Sequence, residues 1–477
     1  MRRPRRMPAA DDCSTVLMGM DYLVSDPPTE GVAAMRLLAT GDAILTRRLA
    51  HRGDDSPFEP IRDALRGADI AFTNFEAALP DLPATPGPVR HGMHLMGHPD
   101  TIEDLRWLGI DVVNIGNNHA LDYSTRGLDD LIARLSAARL PFAGAGRTLG
   151  EAREPVFVDS PAGRFALVGV CASTADVSLA TDPNLRTTGR SGVNPLRWST
   201  TYSVTEDDIR YLADLDERLG TAAARVDRVA ASKSRIFMTG GPNVRAGSTV
   251  PFAGTVFTVG DETRVNTRAH PHDLDDIDRS VDFARRSADV VAVSVHCHEG
   301  AADGWNSYDL PDFLVEASHR WIDAGADVVI GHGPHCIRGV EVYQGKPILY
   351  STGNFFFTPE TVPYLPEAAY LLQGVDAATS TPRDYFDAVE VGFSAHRRFW
   401  EAIMVSLDVG GGSASLEIRP LVLSSGELVY RRGEPALATG AEGEAILDTL
   451  DELSKPFGTA FTRGQRAGAP VATLPLG

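Results

Sequence analysis

Residues 290–299 read Val-Val-Ala-Val-Ser-Val-His-Cys-His-Glu, an apolar run that ends in two imidazoles and a carboxylate. A continuous run of β-branched residues is typical of a strand that is buried on both faces of a sheet. Side chains alternate along an extended segment, so His296 and His298 are expected to face one side and Cys297 the other. The stretch therefore predicts an interior strand that places two histidines at the edge of a sheet, with Cys297 as a small buried apolar residue.

The same pattern recurs at four other places along the chain. Apolar runs end at these polar clusters: Gly41-Asp42 after 35–40, Asn74-Phe75-Glu76 after 70–73, Asn117-Asn118-His119 after 112–115, and Gly331-His332-Gly333-Pro334-His335 after 328–330. Loops at the ends of buried strands converge on a rigid sheet, and carboxylate, amide and imidazole groups are common ligands of divalent ions. Pro334 excludes a regular helix here, so His332 and His335 are expected to project from a turn. The sequence therefore predicts a metalloenzyme.

Taken singly, these residues allow other interpretations. Asp42 can form a turn or cap a helix, Glu76 is equally ambiguous, and any one histidine can be a hydrogen-bonded structural imidazole. Asn118-His119 is more specific, because the amide oxygen can ligate a cation while the neighbouring imidazole stays available as a proton donor. A competing metal site would use His91, His94 and His98. That segment contains glycine and follows no strong strand, which favours the first set.

Strand-like and helical segments alternate through the first 170 residues, which predicts an α/β layered domain. A segment rich in Thr, Asp, Gly and Arg follows, with a predicted helix over 207–231, and the α/β pattern restarts near 271. Two apolar runs flanking three glycines, 402–409 and 414–423, predict an antiparallel hairpin. The predicted boundaries are 1–34 for a disordered or misannotated leader, 35–171 and 271–430 for the main domain, 172–270 for an insertion or cap, and 431–477 for a C-terminal helix and tail.

Composition narrows the classes of partner. The 477 residues contain 45 Lys+Arg and 64 Asp+Glu, a formal charge of -19 that opposes binding to nucleic acid or anionic membranes. The short apolar run after Ser14 is interrupted by Asp21 and is too short for a signal sequence or a membrane anchor, which need a longer uninterrupted stretch. Four scattered cysteines do not suggest a disulfide framework. We therefore expect a cytoplasmic protein without a membrane anchor.

Over roughly residues 36–357 the sequence resembles the CapA family, which is associated with poly-γ-glutamate synthesis and has a calcineurin-like metallophosphatase fold. The resemblance rests on the clusters above together with Gly144-Ala145-Gly146, Ser294-Val295-His296 and Tyr350-Ser-Thr-Gly353-Asn354-Phe355. It implies a four-layer α/β/β/α sandwich with one or two metal ions. The ligands implied are Asp42, Glu76, Asn118, His296, His332 and His335, with Glu76 able to bridge two ions and His119 as the proton donor.

This chain departs from the metallophosphatase pattern in one respect. Ordinary members begin with Asp-x-His, whereas Asp42 is followed by Ala43 and Ile44, so one metal position lacks a histidine. The departure argues against two-metal phosphoester chemistry. Many CapA relatives also carry a membrane anchor, which counts against a capsule-export role for a chain in which no anchor is found.

The sequence is also similar to one branch of CapA-like proteins, the cofactor-independent peptide epimerases of lasso-peptide biosynthesis. That resemblance implies an isomerase in which His296 or His298 acts on one side of a peptide Cα and His119 or Asp122 on the other. Arg190, Arg197 and Asn74 are the candidate substrate-binding residues, although Arg190 and Arg197 can also be solvated loop charges. The alternatives are a metal-dependent phosphoester or amide hydrolase and an accessory protein of poly-γ-glutamate capsule synthesis.

The expected cofactor is one or two divalent ions, with Mn, Fe, Zn and Ca all compatible with mixed oxygen and nitrogen donors, and no organic cofactor is expected. The expected partner is a peptide or polyglutamate-type substrate, and no nucleic acid.

Overall fold

The computed structural model describes residues 34–49, 58–88, 93–174, 176–225, 249–389, 396–410, 414–424 and 431–476. The predicted leader over 1–34 lies outside them except for its last residue. Within them the protein is a mixed α/β structure with two large mixed sheets, which confirms the predicted fold class at that level. The four-layer order implied by the resemblance stays a prediction.

The larger sheet has ten strands in the described residues. In chain order they are β1 Met35–Ile44, β2 Ile70–Phe75, β3 Val112–Asn114, β4 Phe142–Ala143, β17 Asn354–Phe357, β18 Glu401–Val409, β19 Ala414–Leu423, β20 Pro435–Leu437, β21 Thr462–Arg466 and β22 Ala469–Leu476. The central order is β21-β22-β19-β18-β1-β2-β3-β4, with β17 also on β1 and β20 on β19. Strands β1, β2, β3 and β4 run parallel, so their carboxyl ends meet at one edge.

The second sheet has six strands. In chain order they are β6 Val156–Ser160, β7 Gly163–Cys171, β13 Val290–His296, β14 Val328–His332, β15 Val340–Tyr343 and β16 Lys346–Leu349. Their order in the sheet is β15-β16-β14-β13-β7-β6. The predicted strand over 290–295 is confirmed as β13, which is buried along its whole length between the parallel strands β7 and β14.

Helices connect these strands. They are α1 Glu59–Arg66, α2 Thr101–Leu108, α3 Ser124–Ala138, α4 Leu149–Arg153, α5 Glu206–Arg218, α6 Pro271–Arg285, α7 Asp312–Asp323, α8 Glu367–Leu372, α9 Pro382–Val389 and α10 Gly440–Ser454. The apolar face of α3 is buried, since Leu128, Leu131 and Leu135 are at most 1% exposed.

Three apolar clusters account for the packing. Side chains of α1, α2 and α3 pack with the ten-stranded sheet in one cluster, and side chains of α6 and α7 pack with the six-stranded sheet in another. The third cluster joins the two sheets directly, with Leu37 and Phe72 from one and Phe165 and Val290 from the other. Burial of these faces brings the carboxyl ends of both sets of parallel strands together, which is where the polar clusters lie.

The predicted insertion contains a small sheet of its own. Its strands are β9 Trp198–Val204, β10 Thr249–Phe252, β11 Thr255–Val259 and β12 Arg264–Ala269, in the order β10-β11-β9-β12, and a two-residue strand β8, Gly192–Val193, pairs with β5, Ala145–Gly146. Helix α5 confirms the start of the predicted 207–231 helix, whose last residues, from 226, lie outside the described part of the chain.

The C-terminal region contains strands in addition to the predicted helix. The predicted hairpin is confirmed as the antiparallel pair β18 and β19. Strand β22 then pairs with the outer side of β19, and β21 pairs with β22. Helix α10 buries Ile446, Leu447 and Leu450 in the cluster between the sheets. The last residues therefore complete the larger sheet.

Candidate metal centre

Strand register brings the predicted ligands into one volume. Asp42 is aligned with Asn74 on one side and Asn354 on the other, and His296 is aligned with His332 in the second sheet. Two details differ from the sequence prediction. Strand β1 continues past Asp42 to Ile44, and His332 is the last residue of β14, so only His335 lies in the following turn.

Gly41 allows strand β1 to lie close to the chain before β17. A Cβ on Gly41 would lie 1.8 Å from the carbonyl oxygen of Gly353, and the next residue, Asp42, donates its backbone N–H to that same oxygen at 3.0 Å. No side chain fits in that space, which explains why glycine precedes the carboxylate.

The first group of donors is Asp42, His296 and His332, all fully buried. The Nδ1 atom of His332 lies 3.3 Å from Asp42 Oδ1 and 3.0 Å from His296 Nδ1. On its other side, His332 Nε2 lies 2.7 Å from the hydroxyl of Ser294, and the backbone N–H of Gly333 donates to Asp42 Oδ2 at 2.8 Å. Hydrogen bonds from Ser294 and Gly333 thus orient His332 and Asp42 from outside the group, as is usual for metal-binding side chains.

The second group is Glu76, His296 and His298. His296 Nε2 lies 3.7 Å from Glu76 Oε1, 3.1 Å from His298 Nε2 and 2.8 Å from Asn118 Oδ1. His296 therefore has one ring nitrogen in each group. The prediction that His296 and His298 face the same side is confirmed, and the structure adds His298 to the possible ligands.

His335 closes a third group with Asp42 and Glu76. Its Nδ1 atom lies 2.8 Å from Asn354 Oδ1, and its backbone is left-handed, with φ of 57°. A non-glycine residue in that conformation costs on the order of 1 kcal/mol and is held there by its surroundings. The turn thus directs His335 toward the same volume as His332.

Three buried amides form a hydrogen-bond network beside Asp42, and Asn114 is the one that the sequence analysis did not name. Asn74 donates from Nδ2 to Asp42 Oδ1 at 2.8 Å, and its own Oδ1 accepts from Asn114 at 3.2 Å and from Asn117 at 3.3 Å. Asn114 lies at the end of β3, a position where a polar residue closes an apolar run, and that signal was available in the sequence. Asn74 keeps its predicted place at the site, and its role in substrate binding stays a prediction.

Burial dominates the electrostatics of the centre. It lowers the pKa of His296, His298 and His335, so these imidazoles favour the neutral form that can bind a metal. Burial and the neighbouring charge of Asp42 raise the pKa of Glu76. Burial also opposes ionisation of Asp42, but the hydrogen bond and charge of His332 outweigh it and lower the pKa of this carboxyl.

His119 and Asp122 form a separate pair at the edge of these groups. The Nδ1–H of His119 donates to Asp122 Oδ2 at 2.7 Å, and its Nε2 lies 3.7 Å from Glu76 Oε1. Both residues are buried, and Asp122 Oδ2 also accepts from the backbone N–H of Leu95 at 2.6 Å. The imidazole is therefore held by a carboxylate on one side and faces the donor groups with its other nitrogen, the arrangement expected of a proton-transfer residue.

The loop after β13 covers one side of the centre. His298 donates from Nδ1 to Asn306 Oδ1 at 2.7 Å, and its ring stacks on Trp305 with centroids 4.6 Å apart and planes 2° apart. Trp305 is 54% exposed. The fully buried guanidinium of Arg338 donates to the backbone carbonyl of Glu299 at 2.8 Å and to that of Ser307 at 2.9 Å, which fixes both ends of the loop.

The donor set fits a divalent ion. Glu76 Oε1 is buried and makes no hydrogen bond to any described residue, although it lies 3.7 Å from Nε2 of both His119 and His296. A buried carboxylate oxygen without a partner is costly, and a cation between it and the neighbouring neutral imidazoles would satisfy it. The predicted ligand set of Asp42, Glu76, Asn118, His296, His332 and His335 is therefore brought together, and its assignment as ligands stays a prediction.

The predicted substrate arginines are already engaged elsewhere. Arg197 pairs with buried Asp273 through Nη2 at 2.7 Å and Nε at 2.8 Å, and Arg190 donates to the backbone carbonyl of Leu179. Their role in substrate binding stays a prediction.

The competing histidine set receives no support in the described residues. His94 is buried 3.4 Å from the carbonyl oxygen of Gly87, and His98 is 52% exposed. Neither belongs to a described group of His, Cys, Asp and Glu that could hold an ion, and His91 lies outside the described residues. Cys297 is a buried free thiol, as predicted, and Cys336 is also buried and free.

Comparison with known sequences places this centre within a family. The family described as bacterial capsule synthesis protein PGA_cap matches residues 36–359, which include every donor named above. The protein is 29% identical to the uncharacterized protein y4sH of Sinorhizobium fredii over 454 residues, covering 92% of this chain and 94% of that protein.

Two more distant relatives carry functional names. The chain is 28% identical over 257 residues to a probable polyglutamine synthesis accessory protein of Mycobacterium tuberculosis, covering 54% of this chain and 48% of that protein. It is 22% identical over 315 residues to the PGA biosynthesis protein CapA of Bacillus subtilis, covering 64% of this chain and 58% of that protein. In the described part of the present chain no helix is long and apolar enough to cross a membrane.

Proposed function

This chain belongs to the bacterial capsule synthesis family PGA_cap, and we propose that it is a divalent-metal-dependent enzyme that epimerises a residue of a peptide or polyglutamate-type chain. One observation carries the proposal. Two buried imidazoles, His119 and His298, face the same donor groups while different side-chain oxygens hold their far nitrogens.

The two partners favour different protonation states. The carboxylate of Asp122 stabilises a positive charge on His119, whereas the amide oxygen of Asn306 accepts a proton from His298 without neutralising any charge. His298 is therefore suited to act as the base and His119 as the acid. Environments that separate two titratable groups in this way assign their roles in acid–base chemistry.

Epimerisation needs one group on each side of a Cα. In the proposed reaction Nε2 of His298 removes the Cα proton, the electron pair is held on the adjacent carbonyl, and Nε2 of His119 gives a proton to the opposite face. The reaction consumes no co-reactant, and water restores both imidazoles. A divalent ion held by Asp42, Glu76, Asn118, His296, His332 and His335 would polarise the substrate carbonyl and make the Cα proton more acidic.

The substrate class rests on the relatives. The names of the Mycobacterium and Bacillus proteins refer to polyglutamine and PGA synthesis, which supports a chain of amide-linked residues as the substrate.

Amide or phosphoester hydrolysis is the second candidate, and the position of His298 favours it. His298 Nε2 lies in one of the donor groups, 3.1 Å from His296 Nε2. If His298 binds the ion, only His119 remains to transfer a proton, which suits protonation of a leaving group.

Proton exchange separates these reactions. The full-length protein loaded with Mn²⁺ would be incubated in heavy water with a γ-linked glutamate oligomer and, separately, with a peptide library. We expect one deuterium at a Cα and inversion of that centre, detected by mass spectrometry and chiral amino-acid analysis, without cleavage. His119→Asn and His298→Asn should each abolish inversion of the centre, whereas His319→Asn, which alters a histidine paired with Glu341 at 2.9 Å, should not.

Cleavage without deuterium at Cα would identify a hydrolase. Absence of both reactions with the metal-loaded protein would refute the enzymatic proposal and leave a non-catalytic role in capsule synthesis.

A further inference from the structure

Arg398 lacks an acidic partner in the part of the chain that the structure describes. No described carboxylate lies within 4 Å of its guanidinium, and its Nε–H is buried without a hydrogen-bond acceptor among the described residues. The side chain is half-buried. A buried guanidinium donor without an acceptor is costly, and a ligand oxygen would remove that cost.

Neighbouring arginines have partners. Arg397, the adjacent residue, pairs with Glu401. Arg432 lies 3.6 Å from Asp387, and Arg47 lies 2.8 Å from Glu434. Arg398 differs from these three arginines in having no ion pair with a described carboxylate, which leaves its charge available to another anion.

Two aromatic rings hold the guanidinium in place. Its Cζ lies 4.7 Å from the ring centroid of Phe399 and 5.6 Å from that of Tyr308. Such cation–π contacts position a charge without neutralising it. Burial raises the pKa of Tyr308 to about 12, so its hydroxyl remains a proton donor at neutral pH.

Arg398 lies between two segments of the candidate metal centre. On one side, the carbonyl oxygen of Phe399 accepts from Asn354 Nδ2 at 3.1 Å, and the Oδ1 of Asn354 lies 2.8 Å from His335 Nδ1. On the other side, Tyr308 follows the loop in which Asn306 holds His298. Through its contacts with Phe399 and Tyr308, Arg398 thus lies between the segments that hold His335 and His298.

We infer that Arg398 and Tyr308 form an oxyanion-binding subsite next to the candidate metal centre, which takes a carboxylate or phosphate group of the substrate. Nε and one Nη of a guanidinium can receive both oxygens of such a group. The inference rests on the proposed function in that the anion belongs to a molecule acted on at the metal centre.

Binding of defined probes tests this subsite. The Mn²⁺-loaded full-length protein would be titrated calorimetrically with a γ-linked glutamate pentamer, with the same pentamer fully amidated, and with inorganic phosphate. We expect Arg398→Met to weaken pentamer binding by about tenfold or more, because charge-assisted bidentate hydrogen bonds are lost. Arg398→Lys, which keeps the charge and loses the fork, should fall between. Arg397→Met is the matched control and should change binding by less than about threefold, because the guanidinium of Arg397 is already paired with Glu401.

The probes distinguish the source of the anion. Tighter binding of the pentamer than of its amidated form identifies a carboxylate subsite, and binding of phosphate with the same dependence on Arg398 identifies a phosphate subsite. Equal affinities of the wild type and both Arg398 variants, or no binding of either anion to the wild type, would overturn the inference.

Thermal unfolding and metal content of each variant show whether a loss of binding reflects misfolding. Arg398-dependent binding without deuterium exchange would refute the proposed function and leave the subsite standing. Deuterium exchange that does not depend on Arg398 would refute the subsite and leave the proposed function standing.

Discussion

Replacing Glu76 by glutamine should change stability in opposite directions with and without metal. The substitution keeps the shape of a fully buried side chain and removes its charge. Glu76 Oε1 has no hydrogen-bond partner among the described residues, and burial together with the charge of Asp42 raises the pKa of this carboxyl. In the metal-free protein the carboxylate is therefore destabilising, and Glu76→Gln should stabilise the fold by on the order of 1 kcal/mol.

The metal-bound protein should respond in the other direction. An ion present at 100 times its dissociation constant stabilises the wild type by about 2.7 kcal/mol. Loss of a charged ligand should weaken binding by at least the roughly 100-fold that loss of an outer hydrogen-bond partner can cost. At the same free metal concentration the stabilisation of the variant then falls to about 0.4 kcal/mol.

Denaturant unfolding with chelator and with excess Mn²⁺, together with metal content by mass spectrometry, measures both effects. Glu59→Gln, which alters a carboxylate that is 52% exposed, serves as the control and should behave as the wild type. If Glu76→Gln binds as much metal as the wild type and shows the same gain in stability from it, Glu76 is not a ligand and the assignment of the centre is wrong.

Three further predictions concern the surroundings of the centre. Asp122→Asn should slow Cα proton exchange by about 10–100-fold while metal content is unchanged, because the hydrogen bond to a charged acceptor that orients His119 is lost; a rate within twofold of the wild type would exclude a catalytic role for the pair. Trp305→Phe should remove most of the change in tryptophan emission on Mn²⁺ binding, because Trp305 stacks on His298. Trp305→Ala, which removes the ring, should weaken metal binding by up to about tenfold. An unaltered emission change in Trp305→Phe would contradict the assignment of His298 to the centre. Gly41→Ala should destabilise the fold by about 1–3 kcal/mol in denaturant unfolding, because its Cβ would lie 1.8 Å from a backbone oxygen, and wild-type stability would show that strand β1 does not pass so close to Gly353.

Local pattern was sufficient for the elements that carry the centre. Apolar runs that end in polar residues identified strands β1, β2, β3, β13 and β14 and most of the donors at their ends. The prediction of these strands succeeded because a strand buried on both faces is a run of consecutive apolar residues. The donors lie together because parallel strands of one sheet place their carboxyl ends at one edge. The same pattern misplaced the end of β1, since Asp42 remains within the strand while serving as a donor.

Local sequence pattern did not predict the residues that hydrogen-bond to the candidate ligands. Asn306 reaches His298 through a loop in which Ala302, Asp303 and Asn306 all have left-handed backbone conformations, with φ between 53° and 59°. Residues other than glycine rarely adopt that conformation, so no local signal predicted the fold of the loop. Similarly, Asn354, which contacts His335, is aligned with Asp42 only because β17 pairs with β1 across more than 300 residues.

The amino-acid sequence by itself determined the α/β class, the interior strands and most of the candidate donor residues, because each of these depends on residue types and periodicity along the chain. Only the tertiary structure decided that His298 joins Glu76 and His296, that Asp122 holds His119, and that Arg398 stands without an acidic partner among the described residues. These depend on the packing of two sheets against each other and on loop conformations, and burial in the assembled fold alters the protonation and pairing of each group.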